Sequence, residues 1–115
     1  MTHEIPNDEN GNVLRQMKES GDDLSLPRDI DFTLVFPAED KAVCFANYFR
    51  GMGYRVKWKL SAVVPSLPWD VVVVRHMVPR HAAIGEFESE LQDYAGSLGG
   101  RNDGWGCFEQ AGQKH

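Results

Sequence analysis

The groups best able to move protons or hold a metal near neutral pH are His3, His76, His81 and His115, with the thiols of Cys44 and Cys107. A zinc centre draws on closely spaced ligand pairs. His76 and His81 straddle Pro79, so one ends an extended segment and the other opens a helix, and they share no face even with Cys107 nearby. His76 is expected as a partly buried strand residue and His81 in a first helical turn. Free cysteine behaves as a small hydrophobe, so Cys44 and Cys107 are expected to pack inside. No Ser–His–Asp or Cys–His–Asp order stands out. Glu86, Glu88 and Glu90 are two apart on a helix and fan around a wet face rather than forming an acid/base pair. Gly51-Met52-Gly53 follows a helix instead of opening one, the wrong context for a dinucleotide. No catalytic residue, metal or cofactor is expected.

Two features suit binding instead. Arg55, Lys57 and Lys59 alternate with Val56, Trp58 and Leu60, and Arg75 on the neighbouring strand extends the cationic row. Such a row serves an acidic partner, or it pairs with acids such as Asp31, or it guards an edge strand. The second feature is Gly99-Gly100-Arg101-Asn102-Asp103-Gly104-Trp105-Gly106. Its glycines fit a tight turn and a bulged strand, or they leave Trp105 available as a binding side chain.

These features need elements to hold them. Val13, Leu14 and Met17 make one face of a helix over 7–20, capped by Asn7 or Asn10 and stopped at Gly21. Ile30, Phe32, Leu34 and Phe36 alternate with Asp31, Thr33 and Val35, a strand with one buried face. Acids at 39 and 40 open a helix whose stripe is Ala42, Phe45, Phe49 and Met52, closed by Gly51 and Gly53. A strand over 54–60 follows, with Tyr54, Val56, Trp58 and Leu60 inward because three cations cannot face a core. Residues 69–78, with four successive valines, read as a central strand. Pro79 starts a helix with Ile84, Phe87, Leu91, Tyr94 and Leu98 as its stripe, and a last strand runs over 103–109. Helix, then strand–helix–strand–strand–helix–strand, predicts an α+β ferredoxin-like sandwich: a four-stranded antiparallel sheet, two helices on one face and an added N-terminal helix. The domain spans 7–110, between a flexible 1–6 and a short tail at 111–115.

The chain has 115 residues and a net charge of −5, and its acids argue against a generic nucleic-acid binder. The charge is uneven: −7 over 1–40, +6 over 41–80 and −4 over 81–115. There is no apolar run long enough to cross a bilayer and no basic or apolar start of the secretory type, so a reduced, cytoplasmic setting is expected.

The run Asp29-Ile30-Asp31-Phe32, then Phe36-Pro37, Gly53-Tyr54 with Val56, and above all Asn102-Asp103-Gly104-Trp105-Gly106 before Phe108, resembles the regulator of ribonuclease E activity B family. Asp103, Gly104, Trp105 and Gly106 match its most specific element. The resemblance implies a ferredoxin-like fold and a non-enzymatic bacterial protein that binds an RNA-degrading enzyme, ribonuclease E, and alters which RNAs are degraded. Members of the inhibitor type commonly carry a long acidic tail, whereas this sequence ends in Gln113-Lys114-His115. The expected contact uses Arg55, Lys57, Lys59, Arg75 and Trp105. A direct single-stranded RNA binder, and a small-molecule or stress-responsive domain that forms a homodimer, are the alternatives.

Overall fold

In the computed structural model, residues 9–61 and 65–107 are described. The elements are α1 (Glu9–Glu19), β1 (Arg28–Phe36), α2 (Glu39–Gly51), β2 (Arg55–Leu60), β3 (Trp69–Met77), α3 (His81–Gly96) and β4 (Arg101–Cys107). The four strands form one antiparallel sheet in the order β2-β3-β1-β4, so the expected α+β class, antiparallel sheet and element order are all present. Asn7, Phe108 and Glu109 lie outside the described residues, as do the expected termini.

Period-2 alternation puts Ile30, Phe32, Leu34 and Phe36 of β1 on one face, all fully buried. Directly opposed residues share a face, so the β3 partners Val73 and Val71 join Phe32 and Leu34, and Val56 of β2 joins Val73. β3 pairs on both sides, the central position its valines suggested. α2 contributes Ala42, Phe45, Ala46 and Phe49 to the same layer, and α3 contributes Ile84, Phe87, Leu91 and Ala95. Aromatic rings fasten the layers: Phe32 meets Phe87 edge-on at 4.8 Å, and Phe45 bridges Phe36 at 5.0 Å and Phe49 at 4.7 Å. Such pairs add about 0.5–1.5 kcal/mol each beyond the area they bury.

Turn chemistry ends the helices where the glycines stand. After α1, Gly21 takes φ 96°, and the Asp22 and Gly21 amides donate to Met17 and Lys18 carbonyls. After α2, Gly53 takes φ 97°, and the Tyr54 and Gly53 amides donate to Phe49 and Arg50. Both are Schellman closures, in which the left-handed residue costs glycine little. The chain leaving α1 is then locked by a buried ion pair. Arg28 Nη1 donates to Asp22 Oδ2 at 2.8 Å, with both side chains almost wholly buried, and the guanidinium also reaches the Asp23 and Leu26 carbonyls.

Several expectations are corrected. Met52 is exposed because α2 has ended before it, and Leu60 is exposed at the far end of the edge strand. α3 begins two residues after Pro79, with Arg80 as its N-cap. Cys44 is exposed on α2 rather than packed. The side chain of Cys107 lies outside the described residues. His76 is exposed, since its register partner is Asp29 on the helix-free face.

Gly100 is confined by packing: a Cβ there would overlap the Phe36 ring and stand 2.9 Å from the Val35 carbonyl oxygen. Gly106 has open space at the same position. Gly100→Ala should therefore lower unfolding free energy by about 1–3 kcal/mol in denaturant titration, the usual cost of overpacking. Gly106→Ala should stay within about 0.5 kcal/mol of the parent.

Candidate interaction surfaces

The helix-free face of the sheet carries the odd-numbered residues of β1 and β2. Arg55, Lys57 and Lys59 stand opposite Val74, Val72 and Asp70 of β3, and Asp31, Thr33 and Val35 of β1 lie beyond those. The result is a half-buried, mainly apolar strip, Val72 and Val74 with Thr33 beside them, and a lysine border along the β2 edge. Trp58, between the lysines, points the other way and packs on the core, with the Arg50 guanidinium 4.8 Å over its ring. Arg50 also donates to the Val56 carbonyl at 3.0 and 2.7 Å, tying the end of α2 to β2.

Arg75 does not continue the row. It pairs with buried Ile30, so it shares the helix face, and its guanidinium lies 4.6 Å over the Phe87 ring. The row extended by Arg75 is thus corrected to three cations. Arg55 in turn is held by an acid two rows from the one expected. Its Nη2 donates to Asp29 Oδ2 at 2.7 Å, while His76 Nδ1 lies 2.9 Å from Asp29 Oδ1. The His76 and Arg55 hydrogen bonds, in that order, hold the Asp29 carboxyl below its ordinary value. Lys57 and Lys59 have no such partner among the described residues.

The second surface is built around the glycine-rich strand. β4 is bulged: Phe32 pairs with Trp105 and Leu34 with Asn102, so one extra residue falls between them. Gly104 supplies φ 106° in that segment. The bulge turns Trp105 onto the helix side, where it packs half-buried on the core. Trp105 Nε1 donates to Asn10 Oδ1 at 2.9 Å, and Asn10 Nδ2 donates to Glu88 Oε1 at 2.8 Å. Glu88 Oε2 accepts from Asn102 Nδ2 at 2.9 Å, and the Asn102 amide donates to Gln92 Oε1 at 2.7 Å. One carboxylate therefore joins α1, α3 and β4. Trp105 positions α1 here, and a shallow cleft of about 490 Å³ opens beside it.

Sequence reasoning placed Glu88 on a wet helix face and Asn10 at a cap; neither role holds. The available signal was Asn10-Gly11-Asn12, three poor helix formers in a helix, tolerable where a side chain has work elsewhere.

A third surface went unnoticed, a groove between α2 and α3. Tyr48 and Tyr94 stack there at 4.1 Å with 24° between the rings, and Tyr48 is half exposed. Cys44 Sγ lies 3.8 Å from Tyr94 Oη, a contact that raises the phenol pKa above its usual value. The overlooked signal was Ala82, Gly85 and Ser89, small residues recurring along one side of a helix.

The described residues thus form a two-layer α+β domain whose lysine border and tyrosine groove sit on open surfaces. The chain belongs to the regulator of ribonuclease activity B family, whose sequence profile matches residues 7–107. The family resemblance read from the sequence is thereby confirmed. No curated protein matches the chain. No helix among the described residues is long and apolar enough to cross a membrane.

Glu88→Ala strands two side-chain amides and should cost about 1–3 kcal/mol, with faster hydrogen exchange in α1. Glu86→Ala, on the exposed side of the same helix, should stay within about 0.5 kcal/mol. The Asp29 carboxyl should titrate by NMR below an ordinary aspartate, and Arg55→Gln or His76→Ala should raise its midpoint. Because the folded value is the lower one, the stabilisation is present above the unfolded value and is lost as pH falls through the folded value.

Proposed function

We propose that this protein regulates RNA degradation by binding an endoribonuclease of the ribonuclease E type, acting by occupancy and catalysing no reaction itself. Membership of a family of ribonuclease-activity regulators carries this reading. We read β-α-β-β-α-β with the order β2-β3-β1-β4 as the ferredoxin-like arrangement, which leaves one sheet face free for a partner. On that face Lys57 and Lys59 are the primary contacts, because Arg55 is engaged by Asp29. The apolar strip beside them supplies area that is removed from water on docking. Trp105 holds the adjoining corner in shape rather than reaching the partner alone. Such a role belongs in the bacterial cytoplasm, where the RNA-degrading enzyme works.

The test uses purified ribonuclease E and a labelled single-stranded RNA. The chain should form a complex with the enzyme and slow cleavage. Lys57→Glu combined with Lys59→Glu should weaken inhibition about tenfold or more, equivalent to about 1.4 kcal/mol. Absence of both complex and inhibition would overturn the proposal. A salt-sensitive shift of the RNA by the chain alone would replace it with direct RNA binding.

A further inference from the structure

The groove between α2 and α3 lies on the opposite side of the domain from the lysine border. Its volume is about 890 Å³. The floor on α3 is made by Ala82, Gly85 and Ser89. Small side chains at one-turn intervals let the backbone of an incoming chain approach closely, and a Cβ on Gly85 would meet nothing within 4 Å. The α2 side presents the Tyr48 ring, stacked on Tyr94 and half exposed.

Charge decides the occupant. Glu86, Glu90 and Asp93 line the groove and are exposed. Their spacing of four and three places them along one stripe of α3, over about two turns, or roughly 10 Å at 1.5 Å per residue. Among the described residues no lysine or arginine lines the groove, and its one titratable nitrogen group is the His81 imidazole. A carboxylate stripe beside an exposed aromatic face matches the guanidinium group, which bonds carboxylates in a bidentate manner and stacks on aromatic rings. Lysine, a compact and strongly hydrated point charge, can neither fork onto a carboxylate nor stack flat on a ring, and fits the arrangement less well.

We propose that this groove is a docking site for an arginine-rich polypeptide segment, whose guanidinium groups pair with Glu86, Glu90 and Asp93 and stack on Tyr48. The assignment goes beyond the proposed function: it gives the domain a second surface, and it stands or falls separately from the ribonuclease contact on the sheet face.

The probe is a labelled short peptide of alternating arginine and glycine, with lysine–glycine and glutamate–glycine peptides for comparison. Binding is read by fluorescence anisotropy and mapped by amide shifts on the full chain. The arginine peptide should bind more tightly than the lysine peptide, the glutamate peptide should not bind, and shifts should centre on Tyr48, Gly85 and Ser89. Gly85→Leu fills open space on a helix, so the fold should be kept while affinity falls about tenfold or more. Glu90→Gln with Asp93→Asn should give a similar loss. Lys57→Glu with Lys59→Glu should leave peptide affinity unchanged whether or not it abolishes ribonuclease inhibition, which separates the two surfaces. No binding, equal binding of the glutamate peptide, or binding indifferent to Gly85→Leu would overturn the proposal. So would a dimer that Gly85→Leu dissolves, which would show that a second copy fills the groove.

Discussion

The register of β1 is the constraint from which the other features follow. Its even-numbered residues, from Ile30 to Phe36, are wholly enclosed under α2 and α3, and its neighbours β3 and β4 are aligned to it. A slip of one residue would send four large apolar groups to water and bring Asp29, Asp31 and Thr33 against Phe45 and Phe87. With that alternative closed, the opposite face has no freedom left. Arg55, Lys57 and Lys59 must stand outward because Val56 must stand inward, opposite Val73. The free face is therefore a by-product of the core, and its cationic border is fixed in place by side chains packed on the other side of the sheet.

Local patterns were strong enough to reveal most of this architecture in the sequence. Alternation in Ile30–Phe36 and in 54–60, and the stripes through Phe45, Phe49, Ile84, Phe87 and Leu91, are signals of one element folding against one layer. Several of the misplacements depend on how elements meet one another in space. Met52 and Leu60 are in phase with their stripes but lie beyond the cover of the opposite layer. Arg75 would extend the row only if β3 turned it to the face of Lys57, but the register sets it opposite Ile30, where Phe87 offers its π face. Glu88 and Asn10 belong to a network spanning three elements, and no window of neighbouring residues contains it. The candidate surfaces were legible in the same measure. The lysine border follows from a single strand, whereas the groove needs α2 and α3 to be brought side by side.

The two polar anchors hold different parts of the chain. Arg28 and Asp22 set the path from α1 into β1, buried and therefore strong only while both partners are present. Glu88 gathers Asn10, Asn102 and, through Asn10, the indole of Trp105. Gly104 and Trp105 thus sit where a structural duty is visible: the Gly104 bulge aims the tryptophan, and the tryptophan seats a helix. The positive φ of Gly104 explains the need for glycine there without invoking a ligand.

The indole-to-amide link joins positions 95 residues apart, and β1 completes its pairing only with β4. During synthesis on the ribosome, the first helix and first strand emerge early and then wait. Until segment 101–107 has left the exit tunnel, one edge of β1 lacks its neighbour and α1 lacks its seat. Assembly of this domain is accordingly a late, nearly all-or-none event in translation, and a stalled nascent chain would expose a half-built sheet to chaperones rather than a working regulator.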